Sequence, residues 1–190
     1  MDVSKIGVRL EGVSDIKFDR FIDHSKEVRP AEQKFYLSDG NALVLPSTNI
    51  IEGFLFGQNP AGCAKAFEGK AGKDYIAVGL SHVFVGPNLI PFLDNKKKQI
   101  KFTDFNNGRF RVDYTAGRTK MGSLSIKQEA KPRPVMHLPW AVEFDITVLK
   151  NTLIDETKLY NWFVRGGMQI AIGTHRPVYG RFVVDKWETK

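Results

Sequence analysis

The stretch WAVEFDITVL, residues 140–149, constrains the fold more than any other. Val142, Phe144, Ile146 and Val148 fall on one side of a two-residue period, and Glu143 and Asp145 on the other. That alternation predicts a strand with one face on a core and one face in water. DETKLYNWFVRGG follows as a helix. Asp155 is placed to cap it, Leu159, Trp162 and Phe163 give it an apolar stripe, and Gly166-Gly167 would stop it. MQIAIG and VYGRFVVDKWE then read as strands around the turn GTHRP.

The N-terminal part has a matching rhythm. Ile6, Val8 and Leu10 share one face of a first strand, and FIDHSKEVRPAEQK reads as a polar loop. In YLSDGNALVLP, Ser-Asp-Gly-Asn is turn chemistry between two apolar runs, which predicts a hairpin. PSTNIIEGFL then opens a helix. Ser47 or Thr48 can cap it, Glu52 lies in its first turns, and Gly53 would let it approach another backbone. YIAVGLSHVFVGPNLIPFL reads as β-rich, RFRVDY as a short strand, and KQEAKPRPVMHLP as a proline-punctuated connector. Two βαβ-like halves predict an α+β fold of ferredoxin-like or RNA-recognition-like kind: an antiparallel sheet, helices on one face, and a basic β-rich insertion. The expected organisation is one domain over residues 1–190, with the insertion at 95–137.

Charge is distributed unevenly. The chain of 190 residues carries a formal net charge of +7. Between Asn95 and Arg133 stand eleven lysines and arginines against three acidic residues, so this segment alone carries the whole excess. A concentrated basic segment points to a polyanionic partner. Cys63 is the single cysteine, which excludes an internal disulfide. The sequence holds no apolar run of the roughly 20 residues a membrane helix needs, and its first residues lack a signal-peptide core. A cytoplasmic location is expected.

Two stretches together resemble a known superfamily. Residues 39–55, DGNALVLPSTNIIEGFL, are similar to the G-x-P-x-I-P-G-S-S-L-K-G-x-L-R pattern that begins the first helix of the RAMP proteins, backbone subunits of CRISPR effector complexes. Residues 166–182, GGMQIAIGTHRPVYGRF, are similar to their C-terminal helix and glycine-rich loop, G-G-x-x-x-G-x-x-x-S-R-G-Y-G-R-V. Ser47 stands where the pattern has glycine and Glu52 where it has lysine; Pro177 and Val178 also depart from it. The resemblance implies a modified RNA-recognition fold and subunits that polymerise along a single-stranded guide RNA. It also implies a thumb-like insertion, for which the basic segment is placed. A divergent relative carried by a phage or other mobile element fits the departures.

The candidate nucleic-acid-binding residues follow from both readings. In the glycine-rich stretch they are Gly173, His175, Arg176, Tyr179 and Arg181: glycine lets a backbone approach a polyanion and guanidinium donates charge-assisted bonds. In the basic segment they are Arg109, Arg111, Arg118 and Lys120, interleaved with Phe105, Phe110 and Tyr114 as stacking partners for unpaired bases. Ser47 and Asn49 join them through the resemblance. The plain alternatives are a tight turn, a solvated lysine-rich edge and a helix cap.

Catalytic signals are weak by comparison. His24, His82, His137 and His175 have no metal-ligand spacing, Cys63 has no neighbouring histidine, and no phosphate-binding GxxxxGK[ST] loop occurs. Glu143 and Asp145 read as partners in cross-strand salt bridges. No metal or cofactor is expected. The predicted function is non-catalytic binding of single-stranded nucleic acid, RNA by preference, by a subunit that repeats along the strand. The alternatives are a phage-encoded structural or interaction protein of the same fold, a single-stranded DNA-binding protein of phage DNA metabolism, and a metal-independent ribonuclease using Asp23 or a histidine.

Overall fold

The computed structural model describes residues 3–20, 28–121 and 124–190, with side chains outside 115–129. Asp23 and His24, and the side chains of Arg118 and Lys120, lie outside what is described.

The central sheet is built on β1 (Val3–Gly12), where Ile6, Val8 and Leu10 are buried as the alternation requires. β1 pairs antiparallel with β8 (Ala141–Leu149) on one side and β9 (Phe182–Thr189) on the other. β8 in turn pairs with β4 (Val83–Gly86) and with the end of its neighbour β5 (Leu89–Leu93), which continues to β3 (Val44–Pro46). Taking β4 and β5 as one interrupted strand, the order is fourth, first, third, second. That is the ferredoxin-like order, and the fold is α+β of that kind. Gly53 differs from expectation: a Cβ there would meet nothing within 4 Å, so it is not a point of close approach.

Helices cover one face. Residues Asn49–Leu55 form a single π-helical stretch in which Ile50, Phe54 and Leu55 are buried. Thr48 precedes it without a side-chain bond, and the Ser47 amide donates instead to the Asn88 carbonyl at 2.8 Å, so the cap expected there is not made. α1 (Cys63–Glu68) and α2 (Gly72–His82) follow. The β-rich reading of Tyr75 to His82 is therefore corrected. Ile76 and Val78 favour strands, but the buried positions are Gly72, Ile76 and Gly79, at helical spacing. Gly79 is required because a Cβ would lie 2.1 Å from the Phe56 ring.

α3 (Glu156–Gln169) begins as predicted, with the Asp155 carboxylate accepting from the Lys158 amide at 2.7 Å. It does not stop at Gly166-Gly167. Those glycines lie inside the helix, where a Cβ would meet Cys63 Sγ at 2.7 Å and the Phe182 carbonyl at 2.3 Å. They serve close packing, and the helix ends at Gln169, two residues before Ala171 turns left-handed at φ 62°. MQIAIG is consequently not a strand. Met168 and Gln169 finish α3, and adjacent Ala171 and Ile172 are both buried, which alternation forbids.

The basic segment forms a long hairpin of β6 (Phe110–Met121) and β7 (Leu124–Met136), with β2 (Ile16–Lys17) added at its root. The proline-punctuated connector is thus a strand. The Pro134 carbonyl accepts from the Phe18 amide at 3.0 Å, so this residue's backbone polar groups point away from β6. Pro132, two residues earlier, has the same orientation, and neither ring interrupts the ladder to β6. Phe110 and Met136 anchor the hairpin root in the same hydrophobic cluster as the sheet. Among the described residues no helix is long and apolar enough to cross a membrane.

Candidate nucleic-acid interface

Residues 170–181 join α3 to β9 as a loop that docks on β2 and on the chain between β1 and β2. The Thr174 amide donates to the Lys17 carbonyl at 2.9 Å and the Gly180 amide to the Asp15 carbonyl at 2.8 Å. The Val13 amide donates to the Arg181 carbonyl at 2.9 Å. Gly180 sits at φ 75°, and a Cβ on it would lie 1.8 Å from the Ile172 carbonyl oxygen. Its first use is therefore to close the loop on itself.

One side of this loop faces a charged cluster. Lys17 is 1% exposed, its Nζ 2.5 Å from Asp113 Oδ2 and 4.2 Å from the centre of the Tyr179 ring. The Tyr179 hydroxyl donates to Asp113 at 3.1 Å and accepts from Arg111 at 3.3 Å. His175 Nδ1 is 3.3 Å from Lys17 Nζ. Burial, and then the charges of Lys17 and Arg133, lower the His175 pKa from its usual value, so the ring is neutral at pH 7 and accepts from the ammonium. Arg111, His175 and Tyr179 are thereby brought together by one carboxylate and one lysine.

The other side of the loop opens on a cleft of about 220 Å³. Gly173, Thr174 and Arg176 line it from the loop, Asn49 and Gly53 from the π-helical stretch, and Asp19 and Tyr36 from the N-terminal region. Ile16, Phe18 and Leu45 add an apolar floor. Arg176 Nη1 reaches the carbonyls of Gly53 and Ala171, each at 3.4 Å, which ties the loop to the helix. Asp19 is neutralised by Arg133 at 2.6 Å and Lys34 at 3.4 Å, so the cleft keeps a positive balance through Arg176.

The remaining candidates stand apart. Arg109 donates to the Pro139 carbonyl, Arg181 Nε folds back to the Pro177 carbonyl at 2.7 Å, and Ser47 is buried beside Asn88. Phe110 is buried and Phe105 packs against the same core, so neither is presented for stacking, whereas Tyr114 is 69% exposed. Lys17, Asp113 and Tyr36 carried no sequence signal, since nothing in a two-residue strand or beside a hairpin marks a buried lysine or a cleft wall. Cys63 is buried with its pKa pushed up by desolvation and its thiol on the Trp162 carbonyl at 3.6 Å. Among the described residues no group of three or more potential metal ligands converges.

A larger groove of about 610 Å³ lies on the open face of the sheet. Most of its charges pair with one another. Arg9 pairs with Glu143, with Asp185 at 2.9 Å and with Glu11 at 3.6 Å, and Lys190 pairs with Asp145. The cross-strand pairing expected of Glu143 and Asp145 is present, and little charge on this face is left for a phosphate chain.

No protein-family model matches the sequence, and no curated protein matches it. Among solved structures, the chain is similar to one from the cryo-EM structure of the Type III-B Cmr-beta bound to cognate target RNA, at 16% identity and a TM-score of 0.50. The match covers 98% of this chain but 60% of the other, so the chain spans less than two thirds of its neighbour's length. At that identity the likeness is one of fold, and it is consistent with the RAMP-like architecture that the two sequence stretches suggested.

Proposed function

We propose that this protein is a RAMP-like, non-catalytic binder of single-stranded nucleic acid, RNA by preference, that repeats as a subunit along the strand. The carrying observation is the meeting of the two stretches that resemble the superfamily. Asn49 of the first and Gly173 and Arg176 of the second line one cleft, although they are distant in sequence. The Arg111–Tyr179 contact ties the root of the basic hairpin to the same loop. A strand in the cleft would therefore run on towards the hairpin, where most of the excess charge lies. The fold's likeness to a chain solved in an RNA-bound complex supports RNA over DNA.

The test is fluorescence anisotropy of a labelled single-stranded RNA of about 30 nucleotides at two salt concentrations, beside the matching DNA. Salt-weakened binding with several copies per strand is expected. A second reading, a protein-interaction role, is favoured by the exposed apolar positions Tyr160, Val164 and Met168, spaced one turn apart along α3. It predicts no oligonucleotide binding even at low salt. The same stripe serves subunit contact if the first reading holds.

A further inference from the structure

We propose that the cleft between Asn49 and Arg176 is a pocket for one unstacked base of the bound strand, with adenine preferred; this rests on the function proposed above and deepens it. The volume of about 220 Å³ is below the roughly 300–1,000 Å³ of a site for a drug-sized ligand and suits a single ring system. The floor of Ile16, Phe18 and Leu45 is apolar, as the face of a base requires. Tyr36 stands in the wall as an aromatic ring on which a base can stack, with the Arg20 guanidinium over it at 5.7 Å from the ring centre.

Three of the polar side chains around that floor are uncommitted. Among the described residues the Asn49 carboxamide, the Thr174 hydroxyl and the Tyr36 hydroxyl have no hydrogen-bond partner, and Arg176 uses only one terminal nitrogen. Burial raises the Tyr36 pKa, with Asp19 adding to it and Arg20 opposing, so the phenol keeps its proton and can donate. A carboxamide offers one donor face and one acceptor side by side. That pairs with the amino group and ring nitrogen of adenine, the geometry by which asparagine reads this base elsewhere. The remaining guanidinium nitrogens of Arg176 are left for the adjoining phosphate.

The experiment compares three labelled RNAs of equal length: all uridine, uridine with adenosines at regular intervals, and the same strand with abasic sites at those intervals. Adenosine should tighten binding about fivefold or more over uridine, with the abasic strand weakest. Asn49→Leu should bring the adenosine-to-uridine ratio to about one, and its melting curve reports whether it folds. Thr174→Val serves if it does not, and should lower the same ratio. If all three strands bind equally to the native protein, the pocket is wrong while the binding function stands. If none binds, both are wrong.

Discussion

Lys17 and Asp113 meet with Nζ 2.5 Å from Oδ2, joining β2 to β6 beneath the glycine-rich loop. Lys17 is almost wholly buried and Asp113 about one fifth exposed, so the pair lies in a region of weak screening. Removing one partner of such a pair strands a charge, whereas replacing both need not. Asp113→Ala is expected to cost about 3 kcal/mol in urea unfolding. Lys17→Met combined with Asp113→Leu should recover much of that loss. An Asp113→Ala protein as stable as the native one would show that the pair does not hold the hairpin root to the loop.

Gly180 and Gly108 share a left-handed backbone, at φ 75° and 71°, but not their surroundings. At Gly108 a Cβ would meet nothing within 4 Å, so alanine there costs only the backbone term of about 1 kcal/mol. At Gly180 the Ile172 carbonyl blocks the position outright, and alanine should cost distinctly more, about 3 kcal/mol or above. Denaturation of the two variants side by side separates conformational preference from steric exclusion. Equal losses would mean that the loop opens without penalty.

These two glycines also mark how far the sequence could be read. Alternation in residues 3–12 and 141–149 gave both central strands, because a sheet buried on one face imprints its period directly. Asp155 gave the start of α3, because a cap is a local event. What failed depended on distant partners. Gly166 and Gly167 look like a helix stop until Cys63 and Phe182 are known to press on them. Pro132 and Pro134 look like a connector until the hairpin shows which edge they face. The site followed the same rule. Arg176 and Asn49 were legible as residue types in suggestive stretches, but Lys17 and Tyr36 became partners only through the fold.

Acid should loosen the loop through His175. Burial, Lys17 and Arg133 lower its pKa below that of the unfolded chain, near 6.5, with Asp113 and Asp19 opposing. Just below that pH the unfolded chain holds the extra proton and the folded chain does not, so stability rises with pH across this window. The contribution is complete above about pH 6.5 and is lost as pH falls through the folded value. His175→Asn removes the titration while tolerating the left-handed φ of 56°. Thermal melts between pH 7 and 5 should show a shallower decline for the variant. Parallel declines would place the acid sensitivity elsewhere, in the carboxylates.

The basic hairpin makes the most direct prediction about nucleic acid. Arg118 and Lys120 pair in register with Lys127 and Ser125, so the distal hairpin carries cations on both strands. Each phosphate neutralised on a single strand contributes about 0.7 to the slope of log affinity against log salt. Arg118→Ala with Lys120→Ala should therefore lower the slope by about 1.4 and weaken binding most at low salt. Lys186→Ala is the control, since Lys186 already pairs with Glu188 at 2.8 Å on β9; it should leave the slope as it is. If the hairpin variant kept the native slope, its cations would not touch the strand, and the charge excess would belong to a protein contact instead.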